Sequence, residues 1–361
     1  MHVGHLTELL ADSAEGRLPP GRMVTSDEGN GNVQPLWLGA GPATIELWAG
    51  MLAEHARSGL WPLLLDSLDP SDGEYRPWGS GEVFPEQMSS PASHDSAGLL
   101  ARWWDTYTAV DEDDMLDAAR RLAVTAPFGQ TWPGLAPSRE TTTNPDQLAA
   151  EFAQAFLADC PQTRLGLVAA ASGAEALTAA GWAGPCNYDH DTAKFSAVVR
   201  DWEHRFGARV VAVGFSTLHL SVASPPVDEH EALLVAAEHF AFCPDNIWQG
   251  SRPYTLAAYA ERITGAHHWE FGSPYPEESA VADHIGPAQR TGARGGGELE
   301  QCVGHGQVDG QGPAQFRRGP PCGVPAVRAV AEEHPPARVL TGVPPVLPGG
   351  DRDERCVRPG R

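Results

Sequence analysis

The stretch "EHFAFCPDNIWQG", residues 238–250, sets His239 four places ahead of Cys243 and follows it with Asp245, Asn246 and Trp248. Four residues make about one helical turn, so the imidazole and the thiol share a face. That is the spacing of a nucleophilic Cys–His pair, with Asp245 available to orient the ring, and its chemistry would be hydrolysis. The same residues also read as the end of a buried helix, with Phe240, Phe242 and Cys243 packed as apolar side chains and Pro244 and Asp245 opening a turn. Reactive thiols need an electropositive setting, which this stretch does not provide, so the helix-end reading is favoured and the Cys243/His239 hydrolase is the alternative. A metal centre needs three or four ligands, and His219, His230, His267 and His268 have neither zinc-finger nor H-E-x-x-H spacing, so no metal is expected.

Four further places invite chemistry. "LWLGAGPATIE", from Leu36, imitates the glycine turn of a dinucleotide-binding unit with Asp66 at the end of the next strand, but Thr44 stands where the third glycine belongs. It reads as a plain strand-to-helix turn, and no cofactor is expected. The run Asp111–Asp114, "DEDD", lacks the alternating oxygens and glycine of a calcium loop and reads as the acidic start of the helix "MLDAARRLAV". "VGFSTL" has a Gly-x-Ser without the second glycine of a nucleophile elbow. Cys302, His305, Cys322 and His334 form a loose set in a stretch with no pattern that could fold around them.

The formal net charge is −22, which argues against nucleic acid and anionic membranes and for a basic protein partner, such as a toxin that the chain would neutralise. No segment reads as a signal peptide or spanning helix, six cysteines are too sparse for a disulfide framework, and Cys160, Cys186 and Cys243 fit reduced thiols, so the expected location is the cytoplasm. A single lysine, Lys194, against 24 arginines points to a GC-rich bacterial genome. All 11 tryptophans precede Phe271, and the Gly/Pro/Arg-rich residues 272–361 show no sustained period. This tail is expected to be disordered, with the composition of an out-of-frame translation. It carries 10 arginines and 11 acids, which leaves 15 basic and 36 acidic residues in the first 271. The charge therefore belongs to the body.

The pattern of the body predicts an α+β fold in two lobes, residues 1–143 and 144–271, with a small sheet built on an antiparallel strand pair and covered by helices. "PATIELWAGMLAEHARSG" predicts a helix capped by Gly59, "LWPLLLDSL" a strand that Pro62 places at an edge or makes start late, and residues 67–95 a long functional or mobile loop. "ARVVAVGF" and "TLHLSVAS" predict the antiparallel pair, with Thr217, His219 and Ser221 on one face. His219, Asp245, Asn246 and Trp248 are the candidate interaction surface.

"DWEHRFGARVVAVGFSTLHLSVASPP", "AAEHFAFCPDNIWQG" and "TLAAYAERITGAHHWEF" together resemble the bacterial domain of unknown function 4253 over residues 164–271. The resemblance implies an α+β domain and brings no reaction, cofactor or catalytic residue with it. The expected role is non-enzymatic binding.

Overall fold

The computed structural model describes residues 3–13, 18–28, 31–69, 73–110, 118–250 and 252–272, which lie in one compact unit. The tail and Asp111–Asp114 lie outside the described residues, as do Cys302, His305, Cys322 and His334. In chain order the elements are α1 (Val3–Ser13), β1 (Gly21–Val24), β2 (Leu36–Pro42), α2 (Ile45–Ser58), β3 (Leu60–Leu65), α3 (Ser96–Thr108), α4 (Ala118–Val124), α5 (Pro145–Asp159), β4 (Arg164–Ala169) and α6 (Gly173–Ala180). There follow α7 (Thr192–Phe206), β5 (Ala208–Val213), β6 (Leu218–Val222), α8 (Glu229–Phe242), α9 (Asp245–Trp248), α10 (Leu256–Ile263) and β7 (His268–Phe271). The helix starts follow local chemistry: Thr44, Asp95, Asn144, Ser172, Asp191, Asp228 and Thr255 each accept a backbone N–H of the first turn. Gly59 and Gly207 end α2 and α7 in the left-handed conformation.

The architecture is mixed α+β, and the antiparallel pair β5–β6 belongs to a seven-stranded sheet of order β1-β2-β4-β3-β5-β6-β7. The only parallel neighbours in that order are β3 and β5, joined at Leu64–Ala212 and Leu65–Val213. Two expectations are corrected here. Strand β4 inserts between β2 and β3, antiparallel to both, so a boundary at residue 143 would cut through one sheet and one core. This insertion also denies β2, α2 and β3 the adjacent parallel pair of a dinucleotide unit. Strand β3 is interior rather than an edge, because Pro62 precedes the two residues that pair with β5. The indole of Trp61 donates instead to the Val210 carbonyl at 3.2 Å.

Alternation along β6 and β7 assigns the two faces of the sheet. Trp269 and Phe271 pack against Trp202 of α7 and His239 of α8. His219 and His268 face Phe156 and Phe152 of α5, which also packs on α2. Helix α8 buries residues all round, because α3 and α10 cover the sides that the sheet and α7 leave open.

Candidate functional site

A cleft of about 700 Å³ opens between the segment 33–35, the loop 85–92, the end of β4 at Ala169 and helix α6. Its apolar lining comes from Leu6, Val33, Met88, Ala169 and Ala179, with prolines at 35, 85 and 91. Among the described residues, the ionisable side chains in its lining are Glu86 and Glu175, and no lysine, arginine or histidine lines it. A wall of this kind favours a ligand that is apolar in body and cationic at one end.

The long loop expected to be mobile or functional forms one wall and is pinned at several points. Phe84 N–H donates to the Gly181 carbonyl at 2.8 Å, and Arg200 donates to the Pro91 carbonyl at 3.0 Å. Gly181 ends α6 at φ 70°, where a Cβ would lie 2.2 Å from the Pro85 nitrogen, so the position admits only glycine. From the lining, Thr178 donates to Ser196 at 2.6 Å and ties α6 to α7.

At the rim, Ser89, His94 and Asp191 bring together the residue types of a hydrolytic triad. Ser89 Oγ lies 2.6 Å from His94 Nε2 and 2.7 Å from Asp191 Oδ2. In a working triad the acid holds the far nitrogen of the histidine, whereas here Asp191 takes the serine hydroxyl itself and the Ser89 N–H at 3.0 Å. Asp191 is also the cap of α7, and these hydrogen bonds hold its carboxyl below the ordinary range, against the burial that would raise it. The wiring is that of a tie between loop and helix.

The residues singled out in the sequence lie elsewhere and do not form one surface. His239 is fully buried, and its Nδ1 is 3.0 Å from the Tyr259 hydroxyl. The rings of Trp202, Trp269 and Phe271 surround it edge-on, with centroids 5.1, 4.5 and 4.8 Å away. Among the described residues its Nε2 has no hydrogen-bond partner, and burial pushes its pKa down to about 3. Cys243 is 8% exposed, and burial, then the neighbouring Asp245 charge, pushes its thiol up to about 12. The thiolate and imidazolium that a nucleophilic pair needs are therefore both disfavoured where they stand. Asp245 is raised by burial and bonds Tyr188 and Gln249 rather than His239.

The expected interaction surface is corrected in the same way. Trp248 is 3% exposed, packed on Tyr107 and Phe240 with the Arg121 guanidinium over its ring, and His219 is 5% exposed beneath α5 on the other face of the sheet. Apolar and aromatic neighbours supply by packing what solvent exposure was expected to leave free. Asn246 is half-buried and has a structural task. Its Nδ2 donates to the Glu270 carbonyl at 2.6 Å and its Oδ1 accepts the Gly272 N–H at 3.3 Å, so the side-chain amide pairs with edge strand β7 as another strand would. Replacing Asn246 with leucine is expected to cost about 1–3 kcal/mol, read as a shift in denaturant midpoint, because these edge groups lose their partners. An unchanged midpoint would show that water replaces the amide.

Sequence reasoning missed the cleft, because its walls come from segments more than a hundred residues apart, and it missed Glu238. This carboxylate is fully buried and accepts from Ala136 N–H at 2.7 Å, Trp202 Nε1 at 2.8 Å and Arg205 at 2.5 and 3.0 Å. Its position after the apolar run Ala232–Ala237 and before Phe240–Phe242 was the available signal. Among the described residues no cluster of three or more His, Cys, Asp or Glu is arranged to hold a metal, and no helix is long and apolar enough to cross a membrane.

The fold and cleft define a mixed α+β scaffold with helices on both faces of one sheet and a concave site at its side. Residues 164–272, from β4 through β7, match the family model for a domain of unknown function, DUF4253. No curated protein and no solved structure matches the chain. The matched segment contributes Ala169, Glu175, Thr178 and Ala179 to the cleft, while segments 33–35 and 85–92 are supplied from before it.

Proposed function

We propose that this protein is a binding protein for a basic partner, and that the cleft receives an apolar segment ending in a cationic group. The observation that carries the reading is the lining itself, with Glu86 and Glu175 as its ionisable side chains beside apolar residues, in a chain of net charge −22. A field of that sign steers cations and repels nucleic acid and anionic membranes. A partner neutralised in this way, such as a basic toxin, fits the charge. As reduced thiols, Cys160, Cys186 and Cys243 suit a reducing compartment, and the cytoplasm is the proposed location.

The test uses the full chain and a short peptide of alternating arginine and leucine as probe. Binding is expected to weaken as salt rises, and Glu86→Gln with Glu175→Gln is expected to weaken it about tenfold at low salt. Equal affinity for the double variant and the native chain would reject the cleft as the contact. Among the residues singled out, the Cys243/His239 pair is the one that would support hydrolysis, and its buried, neutral state speaks against that alternative.

A further inference from the structure

The sheet face beneath α5 carries four polar side chains that the cleft does not use. Pairing of β6 with β7 sets His219 opposite Glu270 and Ser221 opposite His268. Opposed and alternate residues share a face, so all four project to one side. Helix α5 lies over them: Phe152 stacks on His268 with ring centroids 5.7 Å apart, and Phe156 tilts against His219 at 5.0 Å. His219 and Ser221 form a buried floor, and His268 and Glu270 a half-exposed rim.

This face is short of donors and short of positive charge. Among the described residues, His219 Nδ1 and Ser221 Oγ are buried with no hydrogen-bond partner. Among the described residues, Asn246 Nδ2 donates to the Glu270 backbone carbonyl, and no hydrogen bond reaches the Glu270 carboxyl. Burial without a counter-ion pushes that carboxyl up to about 7. Arg209, opposite Ser221 on β5, is already held by Asp146 of α5 at 2.7 Å.

We propose that this face binds a primary ammonium group, whose three N–H donors are accepted by the Glu270 carboxylate, His219 Nδ1 and Ser221 Oγ between the rings of Phe152 and Phe156. An ammonium offers three donors and no acceptor, which matches three acceptors without partners. Buried polar groups left unpaired are costly, so a ligand that satisfies all three gains what the empty site lacks. The flanking aromatic rings add attraction for a cation. An anion is excluded by Glu270. The ammonium comes either from a small free amine or from a lysine side chain of a partner protein.

The test follows the His219 and His268 imidazole resonances of the full-length, isotope-labelled chain by NMR during titration at pH 8. Butylammonium is expected to give saturable shifts. Butyltrimethylammonium, which has the charge without the N–H donors, is expected to bind about tenfold more weakly, and Glu270→Gln to weaken butylammonium about tenfold. Glu270→Gln keeps the shape and removes a buried charge, so folding is not at risk. Shifts that never saturate, or equal binding by native chain and Glu270→Gln, would overturn the proposal. Tighter binding of a lysine-containing tripeptide than of butylammonium assigns the ligand to a protein, and the reverse assigns it to a free amine; either supports the site. None of the cleft residues takes part, so Glu86→Gln with Glu175→Gln leaves this titration unchanged, and the two readings fail separately.

Discussion

Replacing Glu238 with alanine is expected to destabilise the protein by roughly 3–5 kcal/mol, the cost of leaving a buried guanidinium and two further donors without their acceptor. The carboxylate is fully buried and holds four donors: the Ala136 N–H, the Trp202 indole and two Arg205 nitrogens. Arg205 is itself 11% exposed at its side chain and would retain Asp201 at 2.6 Å and the Ala136 carbonyl at 2.9 Å. Those contacts decide the size of the effect. Denaturant unfolding reads it, and a loss below about 1 kcal/mol would show that Asp201 alone satisfies the arginine. A companion variant separates charge from packing: Glu238→Leu with Arg205→Met removes both charges, and it is expected to be closer to native stability than Glu238→Ala. If the double variant is as unstable as the single one, the network acts through the Ala136 and Trp202 donors rather than through the ion pair.

The same network shows what could be read in the sequence. Helices α2, α5, α7 and α8 were legible because period, cap residue and terminating glycine or proline agree within one short stretch, as at Thr44 and Gly59 or Asp191 and Gly207. The hairpin β5–β6 was legible for the same local reason. What escaped depends on pairing at a distance. Nothing near Arg164 says that β4 will lie between two strands from the first 65 residues, and nothing near Pro62 says that β5 will pair only beyond it. His239 and Trp248 looked available because their neighbours in the chain leave them room, while the rings that enclose them come from α3, α7 and β7. The cleft is a product of that long-range assembly, so its acidic residues, Glu86 and Glu175, were indistinguishable from ordinary surface charge.

Stability is expected to fall steeply in mild acid, with His219 and His239 carrying much of the loss. Burial lowers His219 to about 4 and His239 to about 3, from ordinary values near 6.5. The folded state holds both rings neutral and the unfolded chain protonates them, so acid favours unfolding. This loss begins as pH drops below about 6.5 and levels off only below about 4 and about 3, when the folded rings also take up protons. At pH 5 each ring costs about 2 kcal/mol relative to neutral pH. Glu270 has the opposite sign. Its folded value, about 7, lies above the ordinary 4.5, so its contribution is present below pH 4.5 and is lost as pH rises to 7 and beyond. Glu270→Gln removes that loss. The variant is expected to be more stable than the native chain by about 3 kcal/mol at pH 8, to show no advantage near pH 4.5, and to have a steeper acid decline between them. Thermal and denaturant melts across pH 4.5–8 check both parts. A constant difference between the two proteins at every pH would show that Glu270 is solvated as an ordinary surface acid, and it would remove the counter-ion deficit on which the ammonium site rests.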